Sequence, residues 1–346
     1  MLSANHSLMH FIINSINLDE SIFENLNLIT KLFYYIILST IMNIFYLEWN
    51  QKKPTICEFR NTIPDNYNFH CEIKLRNLIP IFDTISLYGL INENHYEYEF
   101  NYSPYTKKSY LISHLQKSIR KMKHTKSVLT AKHLIDLDIQ TLLRRLPIIM
   151  FEDVIPHTSL PIILWLMIAI SKGFKIKSVM IQWLLGVVYF LSKCDKHDKV
   201  YKINSPNLNI INDNIYLKSI LLRTAYGGMK GDMEMLNYFI QFWSDKFKKG
   251  ETMDHSKIQY INHNLDSLPR SDWDLCANDF HCNRQLIQKV KQQYQLYSEK
   301  YIQKLIWEHS SRENKRIQFN INQEEYKDWL IIKKFVRFQQ LNMEYF

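Results

Sequence analysis

The chain has little glycine: seven residues in 346, of which three fall between Gly227 and Gly231. Glycine is the residue that adopts positive φ at low cost, so tight backbone turns have few places to form elsewhere. No Gly-x-x-x-x-Gly-Lys-Ser/Thr motif occurs, and no predicted strand precedes the glycine cluster, as a dinucleotide-binding fingerprint would require. The sequence therefore offers no motif of a P-loop ATPase or a Rossmann enzyme, and no cofactor is expected.

Cysteine is also sparse, and its five positions form no disulfide framework. This usage favours a reducing compartment, and no secretory leader is visible, so we expect an intracellular protein of the cytoplasm or nucleus that is not secreted. The apolar runs 32–47 and 160–170 are shorter than the roughly 20 residues of a membrane span. Both are predicted to be buried helices, which makes a membrane partner unexpected; an anchor at 28–47 is the alternative.

Acidic residues are missing between Phe100 and Ile135, although the whole chain has 34 of them. That segment holds eight of the 43 Lys and Arg residues, so the rest of the chain has 35 basic and 34 acidic residues and is almost neutral. Eight of the nine excess positive charges thus belong to one segment. Together with two nearby arginines, it defines the candidate nucleic-acid-binding residues: Lys107, Lys108, Lys117, Arg120, Lys121, Lys123, Lys126, Arg144 and Arg145.

Apolar spacing predicts a helix in this basic segment, with Leu111, Leu115 and Ile119 on one stripe. Lys117, Arg120 and Lys121 then lie on roughly the opposite side, where they would form a compact cationic face. Such a face attracts nucleic acid or another polyanion. The alternative is a solvated helix face whose partners are acidic residues elsewhere in the fold.

The glycine cluster has two interpretations. In the functional one, backbone N–H groups of Gly227, Gly228 and Gly231, together with Lys230, bind an anion before a helix. In the structural one, the cluster is a tight helix-to-helix turn, in which Gly227 ends the first helix with positive φ and Asp232 caps the second.

Two further groups have both a structural and a chemical interpretation. Arg144, Arg145 and the pair Glu152-Asp153 suggest either a structural ion-pair network or a phosphate contact. The second group is a set of Cys, Asp and His residues in the C-terminal part. Its Cys-x5-Cys spacing matches no standard zinc motif, so no metal is assigned. An acid–base role for its Asp279–His281 pair is the weaker idea. Its members are Cys276, Asp279, His281 and Cys282, with His309 further on.

Helical periodicity dominates, so the predicted fold is mainly α: a multi-helix globular bundle with a small β-hairpin near 84–100. In this hairpin 84–90 would pair with 95–100. Prolines at 147, 156 and 161 are expected to divide 110–190 into short helices. Loop-like composition suggests three consecutive segments: an N-terminal helical segment 1–60, a helical core 61–205 containing the basic segment, and a C-terminal helical region 206–346.

Part of the basic region resembles a known family. Tyr110-Leu111-Ile112-Ser113, Lys117-Ser118-Ile119-Arg120, Arg144-Arg145, Glu152-Asp153, Val188-Tyr189-Phe190-Leu191 and Tyr201 are similar to the C-terminal helical collar of the RarA and Werner-helicase-interacting AAA ATPases. The likeness covers about a quarter of the chain. It implies a collar-like helical fold and an association with DNA replication or maintenance. Because no Walker motif precedes it, ATPase activity is not implied.

The leading functional hypothesis is a nucleic-acid-associated helical protein without enzymatic activity, with a protein assembly as a further partner. One alternative is a structural or assembly protein, such as a viral one, whose 28–47 segment contacts a membrane or a partner. The Asn-, Ile- and Lys-rich composition indicates an AT-rich genome, such as that of a large DNA virus. Another is an enzyme that combines the Gly227–Asp232 turn with Asp279 and His281.

Overall fold

The computed structural model describes residues 43–50, 55–75, 84–91, 96–103, 107–198, 214–265, 284–317 and 322–341. These residues cluster into two compact units. The first draws on 1–94, 158–174 and 199–254, and the second on 95–157, 175–198 and 255–346. The chain therefore passes repeatedly between the units, unlike the three consecutive segments expected from composition. Nine α-helices and one four-stranded sheet are described, which confirms the mainly α class.

The first unit contains the sheet, built from β1 (Ile44–Trp49), β2 (Ile56–Arg60), β3 (Phe69–Lys74) and β4 (Thr84–Ile91) in the order β2-β1-β4-β3. β1 runs parallel to β4, and the two outer strands are antiparallel to their neighbours. The prediction of an all-helical N-terminal segment is wrong for β1 and β2. β1 is buried on both faces, so its residues form a continuous apolar run that periodicity cannot distinguish from a buried helix.

The predicted hairpin near 84–100 is half right. Thr84–Ile91 is a strand, but its partners are β1 and β3. The 95–100 segment pairs elsewhere: Glu97 forms an antiparallel bridge with Lys177, in which the Tyr98 N–H donates to Ile176 O at 2.9 Å. The intervening residues 92–95 lie outside the described residues.

Helix α3 (Leu160–Ser171) packs on the sheet through Trp165, which is fully buried. The indole N–H donates to the carbonyls of Phe45 and Tyr88, at 3.1 and 3.2 Å. A Cβ at Gly89 would lie 2.7 Å from the Trp165 ring, so glycine is required for this close approach. The prediction of a buried helix at 160–170 is confirmed.

Across the part of the chain that the structure describes, no helix is long and apolar enough to cross a membrane. Helices α5 (Ile215–Ala225) and α6 (Lys230–Lys248) complete this unit.

The second unit contains α1 (Lys108–Arg120), α2 (His124–Asp153) and α4 (Ser178–Lys193), which pack together. α2 is kinked at Asp138, whose backbone is non-helical. The Asp138 carboxylate accepts hydrogen bonds from the backbone N–H and hydroxyl of Thr141, at 3.3 and 2.9 Å, and so caps the second half of the helix. The expectation that Pro147 ends a helix is wrong, because α2 continues through it to Asp153.

Three further helices form the C-terminal part of this unit: α7 (Arg284–Gln293), α8 (Glu299–Ile306) and α9 (Gln323–Leu341). A π-helical turn, Trp307–Ser311, follows α8 directly. The Asp328 carboxylate of α9 accepts hydrogen bonds from the hydroxyls of Tyr297 and Tyr301, at 2.8 and 2.7 Å. The chain is non-helical between α7 and α8, and the side chain of Ser298 caps α8.

Candidate functional site

Helix α1 is buried on both sides. Leu111, Leu115 and Ile119 are inaccessible to solvent, as the apolar stripe predicted. The basic stripe, expected to face solvent, is buried as well: Lys117, Arg120 and Lys121 expose 4%, 6% and 5%. The prediction of a compact, solvent-facing cationic face on this helix is therefore wrong for these three residues.

Arg120 is held by three groups from two other places in the unit. Its Nε donates to Asp153 Oδ1 at 2.5 Å, and its two terminal nitrogens donate to Glu152 Oε1 at 3.1 Å and to the Ser311 carbonyl at 2.8 Å. Lys121 Nζ lies 3.1 Å from Glu313. Buried charges require such partners. The carboxylates missing from the basic segment are thus supplied by the end of α2 and by the turn after α8.

Arg145 belongs to the same network. Its Nε donates to Gln116 Oε1 at 3.1 Å, while Gln116 Nε2 donates to Glu152 and Asp153, each at 2.8 Å. Partial burial and the adjacent Asp153 carboxylate raise the pKa of Glu152. Of the two interpretations of this region, the structural network is the one present at Arg145. Arg144 differs because it is exposed.

Arg316, which sequence reasoning missed, clamps the C-terminal ends of two helices. Its guanidinium donates to Ile119 O of α1 at 3.0 Å, to Leu191 O of α4 at 2.7 Å and to Cys194 O at 2.6 Å. The final carbonyls of a helix lack partners and concentrate negative charge. A planar cation satisfies three of them here. No periodic signal marks such a residue, because it lies in an irregular segment.

Cationic side chains reach solvent at the C-terminal end of α1. His124 is exposed and Lys123 half-buried, and both belong to the turn into α2, where Lys126 follows. The rings of His124 and Tyr189 meet edge to face, with centroids 5.6 Å apart, and Lys193 Nζ lies 5.1 Å from the Tyr189 centroid. The exposed Lys315 lies close to this turn, because its backbone N–H donates to Arg120 O at 3.1 Å. Chain folding therefore brings two unpredicted lysines, Lys193 and Lys315, to the predicted basic turn.

The other end of α1 also carries exposed cations. Lys107 and Lys108 are both exposed, and Lys108 Nζ lies 2.6 Å from Asp138 Oδ2 at the kink of α2. Partial burial alone would raise the pKa of Asp138, but the hydrogen bonds from Lys108 and Thr141 together lower it. The basic segment thus has a buried middle and two solvent-facing ends, separated by a helix of 13 residues, or about 20 Å.

The glycine cluster forms the helix-to-helix turn of the structural interpretation. Gly227 has φ +80° directly after α5. Asp232 does not cap α6, which is a correction: the N-cap is Met229, and Asp232 lies in the first turn. Lys230 is 90% exposed, with Nζ 3.8 Å from Glu234. Gly228 and Gly231 are exposed at the same N-terminus. The turn therefore agrees with the structural interpretation, and anion binding by its backbone N–H groups stays a prediction.

The second chemical group falls largely outside the described residues, which omit 266–283 and so Cys276, Asp279, His281 and Cys282. His309 is described: it lies in the π-helical turn, with its ring centroid 5.6 Å from Tyr326 and 6.2 Å from Trp329. Within the described ranges, no three His, Cys, Asp or Glu side chains are grouped closely enough to hold a metal ion.

No family model, curated protein or solved structure matches this chain. The resemblance to the helical collar of the RarA and Werner-helicase-interacting ATPases therefore stays a prediction.

Proposed function

We propose that this chain is a helical protein without enzymatic activity that binds nucleic acid through basic side chains at the two ends of α1. The observation that carries the proposal is the convergence at the C-terminal end, where Lys193 and Lys315 join Lys123 and His124 at the turn into α2. Cations from three separate stretches of sequence in one place raise the local positive potential more than a helical charge run alone.

The buried network supports the proposal because three carboxylates near the C-terminal end of α1 are themselves paired with buried cations. Glu313 is paired with Lys121, and Glu152 and Asp153 with Arg120. Lysines that remain at the surface can then neutralise phosphates and release the counterions of the nucleic acid. The Tyr189 ring, with Lys193 Nζ 5.1 Å from its centroid, also suits a nucleic-acid strand.

The test is a binding titration with variants that leave the buried network intact. Labelled single-stranded DNA, RNA and duplex DNA are titrated by fluorescence anisotropy at several salt concentrations. The triple variant Lys123→Glu, Lys193→Glu, Lys315→Glu is compared with Lys289→Glu, Lys300→Glu, Lys334→Glu, which makes the same charge change on α7, α8 and α9. Charge reversal at Lys117, Arg120 or Lys121 is avoided, because all three side chains are buried. Arg120 and Lys121 form ion pairs, and Lys117 Nζ lies 5.7 Å from the centroid of the Trp307 ring, so their loss would destabilise the chain.

We expect the wild type to bind with an affinity that falls steeply as salt rises. The first triple variant should lose at least tenfold, and its salt slope should decrease by about 2 to 3, because each phosphate contact contributes roughly 0.7 to 0.9. The matched variant should stay within about threefold of wild type, since its charges act only at long range through salt screening. A wild-type protein with no salt-sensitive affinity for any of the three ligands refutes the proposal, and so does an equal loss in both variants.

A further inference from the structure

The outer face of α9 carries large apolar side chains in solvent. Ile331 and Phe338 expose 52% and 58% of their surface. The opposite side of the helix is already in use, because Trp329, Ile332 and Val336 are buried in the unit. The exposed apolar groups are therefore not needed to hold α9 in place, and their exposure calls for another explanation.

The turn between α7 and α8 adds a third apolar group beside this face. Leu296, in that turn, is 99% exposed. Tyrosines before and after it hold the turn against α9: Tyr294 donates its hydroxyl to Ile331 O at 3.3 Å, and Tyr297 donates to Asp328 Oδ1 at 2.8 Å. Three exposed apolar side chains from two elements thus form one apolar patch (Leu296, Ile331 and Phe338). Clusters of this kind mark interaction surfaces, whereas scattered apolar residues do not.

Cations alternate with the apolar groups along α9. Lys327, Ile331, Lys334 and Phe338 follow one another at intervals of four, three and four residues, so they share one face of the helix. Both lysines are exposed, and so is Arg337 next to Phe338. The face therefore combines apolar side chains with positive charge.

The carboxylates of α9 leave that positive charge in place. Asp328 accepts hydrogen bonds from two tyrosine hydroxyls, and Glu325 is paired with Lys304 at 2.5 Å. Glu324 is exposed, but it lies in the first turn of the helix. From 329 to 341 the sequence contains no carboxylate. The part of α9 that presents Ile331 and Phe338 thus attracts anions.

This combination fits an anionic lipid surface better than it fits other partners. Lysine is depleted at protein–protein interfaces, whereas in a bilayer its stem lies among acyl chains while its ammonium group reaches the phosphates. Leu296 and Ile331 have no π face on which a nucleobase could stack. Contact between two copies of this face would bring like charges together, because a symmetric dimer presents the same patch twice.

We infer that α9 and the turn before α8 form a peripheral binding site for an anionic membrane. The apolar patch enters the boundary between headgroups and acyl chains, and Lys327, Lys334 and Arg337 bind lipid phosphates. Such a contact needs no helix that spans the bilayer. It is also separate from the basic ends of α1, to which the proposed nucleic-acid binding was assigned.

Vesicle binding by the full chain tests this inference. The protein is sedimented with vesicles of phosphatidylcholine alone and with vesicles that also contain phosphatidylserine. We expect about tenfold to a hundredfold tighter binding to the second kind, because each cation near an anionic surface adds to the affinity. The variant Lys327→Gln, Lys334→Gln, Arg337→Gln should lose most of this preference.

A second variant separates insertion from charge attraction. Ile331→Gln with Phe338→Gln keeps every charge and a good helix former at both positions, so α9 should persist. We expect it to lose at least about tenfold in affinity for the anionic vesicles, because two apolar side chains no longer leave water. The matched control Tyr96→Gln with Tyr102→Gln removes two exposed rings from another segment and should stay within about threefold of wild type.

Brominated acyl chains report the insertion directly, because they quench a tryptophan that touches them. Leu296→Trp should show more quenching than wild type on anionic vesicles made with such lipids. Tyr96→Trp, at a comparably exposed position outside the patch, should show no increase.

Three outcomes overturn the inference. The first is absence of wild-type binding to the anionic vesicles. The second is unchanged affinity of the Ile331→Gln, Phe338→Gln variant, which would mean that charge alone attracts the protein. The third is equal quenching of the Leu296→Trp and Tyr96→Trp proteins. If no vesicle is bound and the double variant instead weakens oligonucleotide binding or a self-association seen by light scattering, the patch contacts nucleic acid or a second copy of the chain.

Discussion

Arg120 and Asp153 form a buried ion pair, with Nε 2.5 Å from Oδ1 and side chains that expose 7% and 2%. The pair joins the last residue of α1 to the last residue of α2, which are 33 positions apart. A carbonyl from Ser311 satisfies a third guanidinium nitrogen, so the pair also ties the turn after α8 to these two helix ends. If Arg120 were exposed to solvent, it would not connect these three segments.

Removing one partner of this pair should strongly destabilise the protein. Asp153→Ala and Arg120→Ala each leave an uncompensated buried charge, and we expect each to lower the free energy of unfolding by about 3 to 5 kcal/mol. Arg120→Met with Asp153→Leu removes both charges, so its cost should be well below the sum of the single changes. Urea denaturation measures all three. Arg312→Ala is the control, because its pair with Glu308 is 46% and 29% exposed and should contribute below about 1 kcal/mol. Additive single effects would contradict the coupling.

Helix α1 illustrates how far the sequence could predict this region. The spacing of Leu111, Leu115 and Ile119 predicted both the helix and its core face, because periodicity depends only on neighbouring residues. The burial of Arg120 was not predictable in the same way, since its carboxylate partner is supplied by another helix. Charge runs indicate solvent exposure only when no acidic residue from elsewhere in the fold meets them.

Arg316 should be sensitive to a substitution that keeps its charge. An ammonium group cannot donate to three carbonyls in the planar arrangement that Arg316 uses for Ile119, Leu191 and Cys194. We expect Arg316→Lys to lose at least about 2 kcal/mol of unfolding free energy, nearly as much as Arg316→Ala. Arg312→Lys, at an exposed site, should change it by less than about 0.5 kcal/mol. A fully stable Arg316→Lys protein would mean that charge alone holds the two helix ends.

The sheet shows a different limit of sequence reasoning. Residues 84–90 were predicted as a strand paired with 95–100, whereas the partners of this strand are β1 and β3. β1 lies 40 residues earlier and has the continuous apolar pattern of a strand covered on both faces. Pairing between distant segments leaves no local signal, so the nearest strand-like segment was chosen as the partner instead.

Two glycines of the cluster should respond oppositely to alanine. Gly227 has φ +80°, which costs an L-residue about 1 to 2 kcal/mol, so Gly227→Ala should lower the unfolding free energy by that amount. Gly231 is the second residue of α6, and a Cβ there would meet no atom within 4 Å. Gly231→Ala should therefore be neutral or stabilise by up to about 1 kcal/mol. Thermal and urea unfolding of both variants would test this, and similar losses at both sites would contradict the assigned turn.

His114 should make stability depend on pH. His114 is fully buried, and its Nδ1 lies 2.8 Å from the Thr130 hydroxyl. Because that hydroxyl donates its own hydrogen to Lys126 O, it accepts from His114, so Nδ1 carries the proton. The ring is therefore neutral in the folded protein. Burial, followed by the charges of Lys126 and Lys123, lowers the pKa of His114 from 6.5 to about 3. Between these values the unfolded chain binds one more proton at this position than the folded chain does. The resulting stability is complete above pH 6.5 and is lost as pH falls, at up to about 1.4 kcal/mol per pH unit.

His114→Gln isolates this contribution, because glutamine keeps an N–H donor and does not titrate. Urea denaturation at pH 7, 6, 5 and 4 should give a shallower decline for the variant, and the difference should reach about 3 kcal/mol at pH 4 relative to pH 7. Carboxylates titrate equally in both proteins, so they cancel in the comparison. If the unfolding free energies of the two proteins fell in parallel with pH, His114 would accept a proton as readily in the folded state as in the unfolded one. The buried neutral ring would then not be the cause of acid destabilisation.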